Sequence, residues 1–422
     1  MKTLCKPWEH AMSRRNFLGA TALGALGGLL SPLAAEEMKK RERQVLFVWL
    51  DGGMSQLESW DPKPNTQFGG PFRSIPTSVP GVHFSELMPR LAKQMQRLCV
   101  VRDMSTKDNA HSSGVERIQR GDPKNRGVRY PYFGSAISKL MGPCASRLPA
   151  YVWIKPGSGG FKPEHAGFLG PKFGAVAFGD GKPPENLLRP ASLTEADDEE
   201  RNELREMLNR RYAAQRRPAN TEASSYVFDT ARELMKRADV FDTTKLPAKE
   251  LDRYGRCDLG QHMLVARNML EAGVRFVNVT SYGWDSHGDN FNAHCSMVPK
   301  FDRAFAAMIE DLAASGLLAN TLVVALSEFG RTPRINGQAG RDHWPEAWSL
   351  AMAGCGVRPG TIIGATNEKG TDVKDGGHDI GALFHTWFGA LGIDSRTVEY
   401  DNAGQPLPIA HEEMKPIKEA LS

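Results

Sequence analysis

The sequence is short of the features that would make it a membrane protein, a redox protein or a nucleic-acid binder. Its early apolar run, 19–30, falls below the roughly 20 residues a helix needs to cross a bilayer, and no later stretch reaches that length. Six cysteines (Cys5, Cys99, Cys144, Cys257, Cys295, Cys355) lie far apart with no C-x-x-C pair. That spacing excludes a zinc ribbon or a dithiol redox centre and leaves ordinary buried thiols as the expectation. Charge of one sign is scarce too: lysine and arginine total 53 against 49 acids, and from Glu36 onward the balance is 49 to 48. A net charge so near zero recruits neither nucleic acid nor an anionic membrane. The patterns G-x-x-x-x-G-K-[ST], H-E-x-x-H and G-x-S-x-G do not occur, which argues against P-loop, zincin and α/β-hydrolase chemistries. No internal repeat or low-complexity tract is present to build a solenoid. What is there is 422 residues with 41% hydrophobic content, ample for one large domain or two smaller ones and at odds with intrinsic disorder.

The small basic surplus sits at the N-terminus, where Lys2, Lys6, Arg14 and Arg15 face one acid, Glu9. Ser13-Arg14-Arg15-Asn16-Phe17-Leu18 precedes the 19–30 run, and Leu33-Ala34-Ala35 supplies small residues for a signal peptidase. This arrangement resembles the twin-arginine export signal of bacteria. The resemblance implies a leader over 1–35, a mature chain over 36–422, and passage through the twin-arginine translocase in the folded state. It implies a periplasmic or extracellular protein with no stable membrane insertion after cleavage. An uncleaved interfacial anchor is the other reading.

Three segments read as buried strands with a carboxylate just past the end. Gln44–Leu50 runs into Asp51-Gly52-Gly53, Arg275–Thr280 into Gly283-Trp284-Asp285-Ser286-His287-Gly288, and Thr321–Leu326 into Ser327-Glu328-Phe329-Gly330. Continuous apolar strands belong to a parallel sheet covered on both faces, and open α/β sheets gather ligands at the carboxyl ends of their strands. Phe301, Phe305, Met308, Ile309 and Leu312 predict an amphipathic helix over 299–314, closed by Gly316, between the second and third strands. The charged stretch from about 195 to 217 contains no glycine or proline and predicts a solvated helix, part of a helical insert at about 185–260. Pro and Gly cluster over 155–184 and predict loops.

Asp51, Asp285, His287, Glu328, Asp342 and His343 all occupy Gly-rich turns. A single aspartate there is ordinary capping. Several converging carboxylates are not, because two of them about 4 Å apart repel by roughly 4 kcal/mol at an effective dielectric near 20. A divalent cation removes that repulsion, so the set predicts one or two metal ions. Zn²⁺, Mn²⁺, Mg²⁺ and Ca²⁺ are the candidates, and mixed Asp, Glu and His donors suit Zn²⁺, Mn²⁺ or Fe better than Ca²⁺. Arg331 and Arg334 follow Glu328 closely and are candidates to grip a substrate anion, with solvated arginines the other reading. Trp284 and Trp344 adjoin proposed ligands and either wall the pocket or simply pack. His378 and His385, seven apart on a predicted helix, are expected to pack rather than to ligate.

Four motifs, Leu-Asp-Gly-Gly-Met-Ser at 50–55, Gly-Trp-Asp-Ser-His-Gly at 283–288, Ser-Glu-Phe-Gly-Arg-Thr-Pro at 327–333 and Gly-Arg-Asp-His-Trp-Pro at 340–345, together resemble the family known as domain of unknown function 1501. The match spans nearly the whole mature chain. That family is placed in the alkaline phosphatase and sulfatase superfamily. The resemblance therefore implies an α/β fold: an alkaline-phosphatase-like, doubly wound, mostly parallel sheet with helices on both faces and metal at its strand tips. Asp51 resembles the first-strand aspartate that binds one metal, and Asp285 with His287 resemble the aspartate and histidine of a second, at a shortened spacing. Glu328 stands where relatives carry an Asp-His pair, with Phe329 in place of the histidine. His343 resembles the last histidine ligand, and Asp342 a ligand or an orienting carboxylate. Superfamily enzymes attack with Ser, Thr or a modified Cys at a helix start, which makes Ser112 and Ser113 the nucleophile candidates ahead of a helix over 115–120. His111 beside them is a candidate ligand or acid, and an N-cap with polar neighbours is the alternative. No cysteine begins C-x-P-x-R, so a formylglycine sulfatase is not expected.

These readings lead to an exported metal-dependent hydrolase of phosphate or sulfate esters with an anionic ester substrate. The rival is a non-catalytic extracytoplasmic binding or assembly module with a degenerate metal site.

Overall fold

A computed structural model describes residues 42–121, 126–184, 187, 189–214 and 219–422, and Arg43–Ser422 form one compact unit. The proposed leader over 1–35 lies outside the described residues. Nine strands make the central sheet: β1 (Gln44–Leu50), β2 (Leu98–Met104), β3 (Tyr151–Lys155), β4 (Gly160–Lys162), β5 (Ala175–Gly179), β6 (Phe276–Ser281), β7 (Thr321–Leu326), β8 (Trp348–Gly354) and β9 (Thr361–Ile363). Their order is β9-β2-β8-β7-β1-β6-β3-β5-β4. All run parallel to β1 except β8 and the edge strand β4. The three carboxylate-bearing strands are immediate neighbours, with Val45 of β1 opposite Phe276 of β6 on one side and Leu322 of β7 on the other.

Every residue of β1 is buried, and its side chains alternate between two cores. Leu46, Val48 and Leu50 join one hydrophobic cluster, Val45, Phe47 and Trp49 the other, as a pleat of period two requires in a sheet covered on both faces. The helices are α1 (Pro89–Gln94), α2 (His111–Arg120), α3 (Phe133–Met141), α4 (Glu195–Ala213), α5 (Ala219–Lys236), α6 (Ala248–Tyr254), α7 (Asp258–Glu271), α8 (Asn290–Ala314) and α9 (Ile380–Ala390). Residues of α1, α7 and α8 fill the first core, and residues of α3 and α9 fill the second. The result is a mixed, mostly parallel α/β sheet with helices on both faces. Among the described residues, no helix is long and apolar enough to cross a membrane.

Several boundaries differ from the sequence reading. Helix α8 begins at Asn290 and holds Pro299 inside it; the missing amide orphans the carbonyl of Cys295, a residue on the exposed side of the helix. Helix α2 begins at His111 rather than 115, which puts His111 in its first turn. The Gly-rich stretch 155–184 contains β4 and β5 besides its loops, because Ala175, Ala177 and Phe178 are buried against the sheet despite their glycine neighbours. His378 precedes helix α9 instead of lying on it, since Asp379 caps that helix by accepting from the Ile380 amide. Cys99, Cys144 and Cys355 are buried free thiols, whereas Cys257 is half-buried and Cys295 exposed.

Candidate metal centre

The tips of β1, β6 and β7 are drawn together by a buried frame of two arginines. After β1 the chain turns through Gly52 and Gly53 at φ +116° and +92°. A Cβ on Gly52 would fall 2.5 Å from the Asp285 amide nitrogen, and one on Gly53 would fall 2.8 Å from the Phe329 ring, so only glycine lets the three loops touch. Arg331, fully buried, donates to the carbonyl oxygens of Gly53 and Arg341 at 3.0 Å each, to the Gly52 carbonyl, and to the Asp285 carboxylate. Arg341, equally buried, grips Glu58 with two bonds of 3.1 and 2.8 Å and donates to the carbonyls of Thr332, Phe68 and Pro333. Burial alone would raise the Glu58 carboxyl, but the Arg341 charge beside it wins and holds it below its ordinary range. Asn290 adds a third donor to Glu58 at 3.1 Å.

On this frame three histidines are oriented alike. The Nδ1 of His111 lies 2.7 Å from the Glu328 carboxylate, that of His287 lies 2.7 Å from Asp342, and that of His343 lies 2.6 Å from the carbonyl of Asn109. Each partner is an acceptor, so each Nδ1 carries the proton and, in the neutral ring, each Nε2 offers a lone pair. All three Nε2 atoms turn to Asp285: His111 is 3.3 Å from Oδ2, and His287 and His343 are each 3.1 Å from Oδ1. The Nε2 atoms of His287 and His343 are 2.9 Å apart. Lone pairs and a carboxylate brought this close repel unless a proton or a cation sits among them. The ligand atoms of His111, Asp285 and His343 lie within 4.8 Å of one another, and the Nε2 of His111 is buried with no hydrogen-bond partner among the described residues. An imidazole anchored at Nδ1 by a carboxylate or carbonyl, with Nε2 free, is the disposition of metal-ligating histidines, and the donor set fits a divalent ion.

Charge states follow from position. Partial burial, which would raise Asp285, is overcome by the hydrogen bond and charge of Arg331, so its carboxyl is held down at about 2. Burial raises Glu328, whose Oε1 accepts from His111 and from the Gly52 amide at 3.0 Å while Oε2 is buried without a partner. The hydrogen bond to Glu328 raises His111, and burial lowers His343. Asp342 is lowered by the hydrogen bond from His287.

The proposed residues separate into those that converge and those that do not. Asp285, His287, His343, Asp342, His111 and Glu328 form one connected cluster. Asp51 reaches the same edge, and its charge bears on Glu328, but its Oδ1 accepts from the Trp49 indole at 2.9 Å. Arg331 is a correction: a guanidinium fully buried and bonded to three carbonyls and Asp285 holds loops together and has no free fork for a substrate anion. Arg334 is exposed. Ser113 donates to Asp108 at 2.9 Å, a local bond within its own turn, and Ser112 is exposed. Trp284 packs in the core against Phe301 and His294. Glu58, Arg341, Asn109 and Asn336 were not singled out from the sequence. Asn336 donates to the His287 carbonyl at 2.9 Å and to Asp342 at 3.1 Å. The available signal was adjacency, since Arg341 directly precedes Asp342 and His343.

Comparison with known proteins gives the following. No curated protein matches the chain. Among solved structures it is similar to the alkaline phosphatase from the Antarctic bacterium TAB5, with 13% identity and a TM-score of 0.38 over 83% of this chain and 98% of that one. It is similar to the lipoteichoic acid synthase LtaP from Listeria monocytogenes, with 10% identity and a TM-score of 0.35 over 88% and 75% of the two chains. It is also similar to the PsFucS1 sulfatase from Pseudoalteromonas sp., with 13% identity and a TM-score of 0.35 over 85% and 69%. The family described as protein of unknown function DUF1501 matches residues 42–421. The chain belongs to that family.

Proposed function

We propose that this protein is an exported, metal-dependent hydrolase of phosphate or sulfate esters, not of the formylglycine type. The observation that carries the reading is the convergence of three Nε2 atoms on Asp285 with each Nδ1 already anchored. His111, Asp285 and His343 would hold one divalent ion, and His287 with Asp342 would complete that site or a second one. When bound, such an ion supplies Lewis-acid polarisation of an ester oxygen and charge neutralisation. The chain's own residues do the rest. Arg331 keeps Asp285 ionised and in place, Glu328 and Asn109 fix the rings of His111 and His343, and Phe329 stacks on His343 at 4.2 Å to keep one side of it dry. Ser112, exposed at the start of α2, is the better placed of the two serine candidates, and Arg334 is the arginine with a head group open to an anionic substrate. Export through the twin-arginine translocase to the periplasm or beyond belongs to the same proposal.

A second reading, a non-catalytic binding or assembly module, is favoured by one observation: the Ser113 hydroxyl is engaged by Asp108. Metal analysis of the purified protein, followed by phosphomonoester, phosphodiester and sulfate-ester substrates with Zn²⁺, Mn²⁺, Mg²⁺ or Ca²⁺, separates the two. Turnover lost in Asp285→Ala and His343→Ala, with folding intact, supports the hydrolase. A folded protein that takes up metal and turns over none of the esters supports the module.

A further inference from the structure

Helix α4 is packed inside out. Its inward side is polar: Asn202 is buried with its amide on the Asp198 carbonyl at 2.7 Å, Arg205 pairs with Asp229 of α5 at 2.9 Å, and Asn209 reaches Ser225 of α5 at 3.1 Å. Leu204, Met207 and Leu208, spaced for one face of a helix, stand outside with more than half of their surface exposed. The same helical pair also exposes Val227 and Phe228. A stripe of this kind on a soluble surface marks an interaction site, because each such half-exposed side chain forfeits about half of the roughly 1.5–3 kcal/mol that full burial supplies. Among the described residues, nothing in this chain covers it.

Charge says what does. The first turn of α4 carries Glu195, Asp197 and Asp198, and its last turn Arg210 and Arg211. Along the apolar stripe the order is Glu200, Leu204, Met207, Leu208, Arg211, acidic at one end and basic at the other. Two copies placed antiparallel about a two-fold axis would set Leu204 against Met207 and Glu200 against Arg211, twice over, with Leu208 beside Glu203. A stripe that is complementary to its own reverse is what an isologous interface requires. We infer that α4 is a self-association surface, and that the partner it fits is α4 of a second copy of this chain. A seam about 18 Å long and about 10 Å wide is smaller than the roughly 800 Å² per partner of a standard interface. The dimer therefore dissociates on dilution.

The test is the mass of the full chain by sedimentation velocity over a concentration series reaching about 100 µM. Wild type is expected to pass from monomer to dimer. Leu204→Lys combined with Met207→Lys should weaken the dimer by at least about a hundredfold with an unchanged thermal transition, since both side chains are already exposed. Glu200→Arg alone and Arg211→Glu alone should each weaken it by about tenfold, and the two together should restore it, because the swapped charges again face each other. A wild type monomeric throughout overturns the proposal. So does a dimer indifferent to the lysines, or a double charge swap no better than the single ones.

Discussion

Arg341 and Asp342 are neighbours in the chain and opposites in the structure. Arg341 is fully buried, paired with a fully buried Glu58, and its remaining hydrogens are taken up by backbone carbonyls. The Asp342 side chain is 52% exposed and, among the described residues, its hydrogen bonds are to His287 and Asn336. The same contrast separates Arg331, with no surface exposed, from the Asp285 it grips, at 43%. The inner frame is fixed by what burial would cost if any bond were missing. The outer cluster gains little stability from like-tempered donors pointing at one another, so its arrangement answers to something other than folding. That difference separates the half of the site that burial explains from the half that the proposed metal binding would explain.

The sharpest way to break the comparison is to remove one partner inside the frame. Glu58→Gln keeps the shape but leaves the Arg341 charge buried without its counter-ion, and should destabilise by about 3–5 kcal/mol in urea unfolding. A loss under about 1 kcal/mol would mean that the frame is not what holds the loops. Arg331→Met comes next. It leaves the carbonyls of Gly52, Gly53 and Arg341 without a donor, with an expected loss of about 2–4 kcal/mol, and it releases Asp285 from the cation that keeps its carboxyl low. Titration of Asp285 by NMR should then move upward toward the ordinary carboxylate range.

How much of this was legible in the sequence follows the same division. Continuous apolar strands at 44–50 and 321–326 match β1 and β7 residue for residue, because a strand buried on both faces has no choice of residue type. Their neighbourhood with β6, and so the meeting of Asp285 and Glu328, follows from parallel strands ending at one edge, whereas His343 is brought there by the short antiparallel pairing of Gly330–Arg331 with His343–Trp344. Arg331 was misread because a guanidinium in a Gly-rich loop looks alike whether it faces solvent or backbone; only the carbonyls of Gly52 and Gly53, nearly 280 residues away in the chain, decide. Glu58 carried no signal at all, since its partner lies 283 residues further on. Strands β4 and β5 are not legible because the glycines around them, among them Gly174 and Gly179, suit a loop as well as a short strand near the sheet edge.

Outside the frame the expectation reverses. His343→Ala and His287→Ala remove groups that are at least partly exposed, and each should change the stability of the metal-free protein by less than about 1 kcal/mol. Either should weaken divalent-metal binding by about a hundredfold, read by calorimetry or by loss of the metal-induced rise in Tm. A rim variant that unfolds the protein without metal would erase the distinction between scaffold and chemistry. Acid gives a check on the frame without mutation. The folded Glu58 carboxyl lies below the ordinary 4.5, so its contribution is present above pH 4.5 and lost as pH falls through the folded value. Wild type should therefore lose stability below pH 4.5 more steeply than Glu58→Gln, which has nothing to protonate there.

The smallest effect sharpens the comparison most finely. His378 and Asp103 repeat the chemistry of His287 and Asp342, an Nδ1 on a carboxylate at 2.9 Å, at another place on the sheet edge. What they lack is company: among the described residues, the group whose ligand atoms lie close enough to hold a metal ion is His111, Asp285 and His343. The hydrogen bond to Asp103 raises His378, so its contribution is fully present below pH 6.5 and lost as pH rises through the folded value. With a third of the ring exposed, that contribution should stay below about 1 kcal/mol. The stability gap between wild type and His378→Gln should thus be largest near pH 6 and close toward pH 9, while metal affinity is the same in both. If His378→Gln weakened metal binding as His343→Ala does, an isolated histidine–carboxylate pair would be enough to make a site, and convergence on Asp285 would lose its meaning.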